Sequence, residues 1–509
     1  MWEEKIDRWI ADHKEELLAD IGELVAIPSV SQPGPEPKVY GEASAAALEA
    51  MLALGEKYGF AVSNAEYRCG VIEGERMNGG RTVGIWGHVD VVPAGNHWTY
   101  PPFQATLKGD FLIGRGVQDN KGPAVAVLYA MRCIRELGIP LRYTLKQIVG
   151  SSEEAGMDDA TYFVEHGDVP DFNIVADSGF PVCYGEKGII EAELRTAGWS
   201  GGSGAVLGFR AGSASNIVPG DAELTLRLDA RRAAKLAEAA LPAGVSVEVE
   251  SPNGGLVKLL DRESLSDGLT VGHKRVEGAE AGGYDGAIVR LTAVGKSGHA
   301  GFPEGSVNAI GLLLDAVLDA GLLDGDGEDE RLLRFICGVC SSNDGSALGI
   351  ACRDELSGPL TCVGAVGSLQ DGELCLEVNI RYPITADPDE ILRGAGEAAS
   401  EGGFALAHVH VNKANRGDKD APEVRLLTDT YNRVTGGQAE PFVMGGGTYA
   451  RKIPNAVAFG PGMPADLAPL GLPPGHGGVH APDEAQSVPN LLTALKIYVL
   501  SFIALNETA

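Results

Sequence analysis

Five side chains able to bind a metal stand in separate stretches of this chain in the order His, Asp, Glu, Asp, His, and each of the first four follows an apolar run that reads as a strand. They are His88 in TVGIWGHVDVVPAG, Asp119 in GRGVQDNKGP, Glu154 beside Glu153 in QIVGSSEEAG, Asp177 in NIVADSG, and His480 in GVHAPDE. The runs alternate with helical stretches: strands are expected at 82–86, 145–149 and 172–176, and a helix at 123–137. This alternation implies an α/β fold with a mostly parallel central sheet and helices on both faces. Such sheets bind ligands at the carboxyl ends of their strands. Topology and residue type therefore predict the same site.

A chain of 509 residues exceeds what one core serves, so at least two domains are expected. From 189 to 416 the pattern changes to alternating strands, EAELRTAG, DAELTLRLD, AIVRLTAVGKSG and ELCLEVNIRYP, with two or three helices including 306–320. It reads as an inserted α+β lid domain. The catalytic domain is then split into 1–188 and 417–509, and helices at 424–435 and 490–505 complete it. The Gly- and Asp-rich stretch 324–330 is expected to be an exposed loop.

Formal net charge is −29, which opposes binding to a nucleic-acid backbone. No run is expected to span a membrane. The N-terminus, MWEEKIDRWIADHKEELLADIGELV, has early acids and helical spacing where a secretory signal would begin with basic residues, so a cytoplasmic location is expected. The eight cysteines are scattered and read as reduced core residues; Cys337 and Cys340 form a CxxC with no second pair.

In HVD, Asp90 is placed to accept a hydrogen bond from His88 and fix its tautomer. Asp119 precedes a helix, where an aspartate is commonly an N-cap, but its two oxygens could also bridge two metals. Glu153 and Glu154 point in different directions, which suits one to bind metal and the other to carry protons. Two Zn²⁺ ions are balanced by Asp119, Glu154, Asp177 and one hydroxide, giving a neutral site. Each ion would have one histidine, one terminal carboxylate and half of the bridge. Glu153 is the candidate general base.

These segments resemble the co-catalytic zinc peptidase family that includes aminoacylases, glutamate carboxypeptidases, succinyl-diaminopimelate desuccinylases and carnosinase-like dipeptidases. The inserted stretch is most similar to the bacterial Xaa-His dipeptidase branch, through FRAGSASNIVPGDAEL, AVGKSGHAGFPEGSVNAI, DGSALGIACRDELSGPLT and VNIRYP. The resemblance implies two Zn²⁺ per chain, with Mn²⁺ or Co²⁺ as substitutes, and a short peptide as substrate. It implies that His299 stabilises the oxyanion, that Asn216 and Arg381 hold the substrate, and that the loop with Gly446, Gly447 and Thr448 lines the far end. His97 and Ser152 depart from the family's usual residues at the site rim. The lid's length suggests a monomer whose own His299 serves its own metals.

The expected activity is that of a zinc-dependent dipeptidase. An N-acyl-amino-acid deacylase or desuccinylase shares every metal residue and differs in the pocket. A dinucleotide-dependent oxidoreductase would need G-x-G-x-x-G after the first strand, where only Gly84 and Gly87 occur. A metal-binding protein without catalysis is disfavoured by Glu153 and His299.

Overall fold

The apolar runs form adjacent strands of one sheet in the computed structural model, which describes residues 2–77, 80–196, 198–199, 204–250, 256–259 and 287–508. Two compact units emerge, one of Met1–Glu186 with Asn415–Ala509 and the other of Lys187–Ala414. In the first unit β1 (Thr82–His88), β2 (Thr144–Gly150), β3 (Phe172–Val175) and β4 (Ala456–Phe459) lie in the order β2-β1-β3-β4, all parallel. Antiparallel strands Cys69–Glu73 and Val182–Glu186 flank this centre. Every residue of β2 and β3 is buried, as expected of strands covered on both faces.

Register places the site. His88 pairs with Gly150 across β1 and β2, and Trp86 pairs with Val175 across β1 and β3. Two residues further along, His88 and Asp177 therefore reach the same carboxyl edge of the sheet. β1 and β2 each extend past their expected ends, β1 through Gly87 to His88 and β2 to Gly150. Gly150 is required by close approach, because a Cβ there would lie 1.8 Å from the Tyr449 hydroxyl.

Helices α1 (Trp2–Val25), α2 (Lys121–Glu136), α3 (Pro422–Thr435) and α4 (Val488–Ala504) belong to this unit, and α1, α2 and α4 pack on one another. The Ala-rich helix Glu42–Lys57 was not expected. Against the expectation that nothing resembles a membrane span, the segment Val488–Glu507 is long and apolar enough by length and composition. In the fold α4 is a core helix, burying Leu491, Leu495, Ile497, Tyr498 and Phe502 against its neighbours.

The second unit is built on a nine-stranded antiparallel sheet. Strand Gly188–Thr196 alternates buried and half-buried positions, so Ile190, Ala192 and Leu194 face the helices while Glu191 and Glu193 face away. Among the described residues it carries four α-helices: Ala230–Glu238, Ala309–Asp319, Glu328–Ser341 and Pro388–Gly402. The stretch expected as an exposed loop instead ends in the third of these, where Asp329 and Glu330 are buried in the first turn. Acids are favoured at that helix end, Trp199 Nε1 donates to Asp329, and Arg334 pairs with Glu330. Cys337 and Cys340 are buried thiols on the same helix.

If α4 is a core helix, Ile497→Ala leaves a cavity and is expected to cost about 2–5 kcal/mol. Urea unfolding measures it; a loss below about 1 kcal/mol would mean the helix is not packed as described.

Candidate metal centre

All five candidate ligands and Glu153 converge at the carboxyl edge of the parallel strands. Asp119 ends the turn between the short strand Phe111–Ile113 and α2. The helix N-cap is Asn120, without a side-chain cap bond, so Asp119 is left free of the capping role. His480 arrives from far along the chain because strand Ala485–Ser487 pairs antiparallel with Phe111–Ile113.

Asp119 sits between the two imidazoles. Its Oδ1 is 2.9 Å from His88 Nε2 and its Oδ2 is 2.9 Å from His480 Nε2. Asp177 Oδ2 lies 3.6 Å from His88 Nε2, and Glu154 Oε1 lies 3.0 Å from His480 Nε2. Two groups of donor atoms, His88 with Asp119 and Glu154, and His88 with Glu153 and Asp177, each fall within 4.8 Å of one another. Proximity alone thus places Glu153 as near an ion position as its neighbours.

The electrostatics explain why a cation fits. Burial raises Glu154 to about 7, helped by the Asp119 charge, and raises Asp177 and Glu153 above the usual carboxylate range. Burial alone would lower His88, but hydrogen bonds to Asp119, Asp177 and Asp90 outweigh it. His480 is likewise held up at about 11, against burial, by Glu154 and Asp119. Glu153 Oε1 is buried with no hydrogen-bond partner. Four carboxylates and two imidazoles, one oxygen orphaned, form the donor set of divalent ions.

Asp90 does more than the HVD spacing suggests. His88 Nδ1 lies 3.0 Å from the Asp90 backbone carbonyl and 3.3 Å from its carboxylate, so the carbonyl is the nearer partner. The carboxylate accepts the amides of Glu153 and Glu154 at 3.1 and 3.0 Å. It thereby orients both glutamates.

Sequence reading missed several supporting residues. Asn120 Nδ2 donates to Asp177 Oδ1 at 3.0 Å, and Asn120 Oδ1 accepts the His88 amide at 3.3 Å. Asp159 accepts the amides of Ser151 and Ser152 and the Tyr449 hydroxyl. Glu484 and Arg115 join the Asp119 turn to the His480 loop. All lie in or beside the motifs, but apart from Ser151 and Ser152 beside Asp159 their partners are distant in sequence.

Thr448, expected to line the far end of the substrate site, is held from behind. Its amide and hydroxyl are engaged by Glu186 at 3.0 and 2.7 Å, and it is buried. Thr448 fixes the loop, and Gly447 is small there because a Cβ would lie 2.5 Å from the Arg451 guanidinium. Gly446 accepts from that guanidinium through its carbonyl at 3.4 Å.

Within the second unit, Asn216 and His299 belong to neighbouring segments, with the Ala300 amide donating to the Asn216 carbonyl at 2.8 Å. The Gly301 amide donates to His299 Nδ1, so neutral His299 carries its proton on Nε2. Arg381 is buried on the sheet's polar face, and its Nε donates to Asn379 Oδ1 at 2.7 Å. Asn379 and Ser215 both donate to Glu191, which ties the Arg381 strand to the segment holding Asn216.

A parallel sheet that offers two imidazoles and four carboxylates at its carboxyl edge is the build of a metallohydrolase. Residues 84–503 match peptidase family M20/M25/M40, and the chain belongs to that family. It is 32% identical over 510 residues to "Putative dipeptidase YtjP" of Bacillus subtilis (strain 168), covering 98% of each chain. A Staphylococcus epidermidis protein of the same description is 28% identical, with 99% of each covered. Among solved structures, human carnosine dipeptidase 1 shares the fold with a TM-score of 0.55 at 16% identity, covering 99% of this chain and 100% of that one. Family membership sets aside the oxidoreductase alternative. The loop with Gly446, Gly447 and Thr448 is closed on the buried carboxylate of Glu186.

The Tyr449 hydroxyl is a donor to a fully buried carboxylate. Tyr449→Phe is expected to cost about 1.5–3 kcal/mol in denaturant unfolding; unchanged stability would show that Asp159 does not depend on it.

Proposed function

We propose that the chain is a two-zinc dipeptidase acting on dipeptides with a free C-terminal carboxylate. The Asp119 carboxylate carries this reading, because each of its oxygens lies 2.9 Å from a different imidazole nitrogen. His88, Asp177 and one Asp119 oxygen would hold one ion; His480, Glu154 and the other Asp119 oxygen would hold the second. Imidazole and carboxylate are donors that zinc accepts, and Mn²⁺ or Co²⁺ could substitute. When bound, such a pair supplies Lewis acid chemistry, polarising a carbonyl and lowering the pKa of water.

The remaining work falls to side chains. Glu153, with an unpartnered buried oxygen, takes a proton from the attacking water and delivers it to the leaving amine. Asp90 keeps it in place through the Glu153 amide. His299 donates from Nε2 to the oxygen on which negative charge develops. The Arg381 guanidinium, steadied by Asn379, reads the substrate carboxylate, and Asn216 assists in holding the peptide.

Chelation is expected to abolish hydrolysis, and divalent metal to restore it. Glu153→Gln should keep both metals yet lose on the order of 10² to 10⁴ in kcat. Metal-free protein with full activity would end the mechanism, and a variant within a few-fold of wild type would mean another group is the base.

Free dipeptides are expected to be turned over roughly 10- to 10²-fold better in kcat/KM than their C-terminal amides, matching about 1.5–3 kcal/mol for a charge-assisted bond. Arg381→Ala should erase that preference. Equal turnover of free and amidated peptides would refute the carboxylate role, and faster turnover of N-acyl amino acids would make the protein a deacylase.

A further inference from the structure

The two proposed ion positions share one supporting residue, Asp90, which meets His88 and also accepts the Glu154 amide, but each has further support of its own. On the His88 side, Asn120 bonds both Asp177 and the His88 amide, and the Asp90 carbonyl meets the other nitrogen of the imidazole. None of these touches His480. On the His480 side, the support is a buried ion pair whose two members lie 369 residues apart in sequence.

Arg115 is 1% exposed and Glu484 is fully buried. Arg115 Nη1 lies 2.6 Å from Glu484 Oε2. The other carboxylate oxygen, Oε1, accepts three amides of the ligand turn: Gly116 at 3.1 Å, Gln118 at 2.8 Å and Asp119 at 3.2 Å. Arg115 Nη2 then donates to the His480 carbonyl at 3.1 Å. One oxygen thus gathers the backbone that carries Asp119, while the guanidinium holds the backbone that carries His480.

The His480 loop needs such a restraint. His480 and Asp483 both adopt positive φ, 63° and 53°, where residues with a Cβ are disfavoured unless their surroundings enforce it. Asp483 is itself anchored by the amides of Thr99 and Tyr100 and by His476. That leaves the Arg115 contact as the one made directly to the His480 backbone by the ligand turn.

We infer that Arg115 and Glu484 are positioning residues that clamp the Asp119 turn to the His480 loop and thereby set the affinity of the His480-side ion. The clamp rests on the two-ion reading above. Its members bond the backbone of the ligand segments. They act by fixing the separation between Asp119 Oδ2 and His480 Nε2, the two donors that come from opposite ends of the chain. Groups that orient metal ligands in this way typically change metal affinity by about 10- to 100-fold when replaced. Glu484→Gln keeps an acceptor for the amides but removes the charge that holds Arg115. Arg115→Lys keeps the charge but lacks the fork that reaches both Glu484 and the His480 carbonyl.

Zinc titration of metal-free full-length protein against a competing chelator, with elemental analysis of the product, tests the clamp. Wild type is expected to take two ions. Each variant should keep one near wild-type affinity and bind the other about 10- to 100-fold more weakly. Peptidase activity should return when zinc is raised to saturate the weakened position, a recovery that general structural damage would not show. If Glu484→Gln does not fold, Arg115→Lys decides alone. Two ions at wild-type affinity in the folded variants, or equal weakening of both, would overturn the clamp while leaving the two-ion reading intact. A wild type that binds fewer than two ions would overturn both.

Discussion

Four carboxylates brought together beside two buried imidazoles repel one another, and the first unit is organised around holding them there. Asp119, Glu153, Glu154 and Asp177 lie where burial disfavours their charge, and Glu154 is raised to about 7 in consequence. The proposed pair of divalent ions would turn that repulsion into coordination. The scaffold must then keep six side chains from separate segments in register, since the like charges would otherwise drive the loops apart.

It does so with further buried acids, each used differently from a ligand. Asp90 accepts the amides of Glu153 and Glu154, Asp159 those of Ser151 and Ser152, Glu186 that of Thr448, and Glu484 those of the Asp119 turn. Backbone N–H groups satisfy a buried carboxylate without adding a mobile side chain. Arg451 and Arg115 supply the countercharge for Glu186 and Glu484. A loop tied by two or three such bonds presents its side chain in one direction. That is how strand ends and turns come to behave as a rigid site.

Much of this was legible in the sequence, and the limits have physical causes. Strands β1, β2 and β3 announced themselves because parallel strands buried on both faces are apolar throughout, and the candidate ligands His88, Glu154 and Asp177 drew notice because they stand at or just past the ends of these strands. The strands reach one or two residues further than expected, through Gly87 and onto Gly150, where a glycine admits a close neighbour. Asp329 and Glu330 were read as loop because acidic residues in a Gly-rich context look solvated, whereas a helix N-terminus and Trp199 accommodate them. Helix α4 was expected as part of the catalytic domain, and its packing there agrees, although its length and apolar composition alone would also suit a membrane span. Arg115 and Glu484 were in quoted motifs, yet no spacing rule pairs residues so far apart in the chain. Thr448 was correctly placed in a glycine loop, but its partner Glu186 is visible only in three dimensions.

The proposed reaction depends on Asp119 being shared between two ions. Crystals of the zinc-loaded protein, with anomalous data collected on both sides of the zinc edge, test it most directly. Two zinc peaks about 3.5–4 Å apart are expected, one beside His88 and Asp177 and the other beside His480 and Glu154, with an Asp119 oxygen on each. A single peak, or two peaks with Asp119 bound to only one, would contradict it.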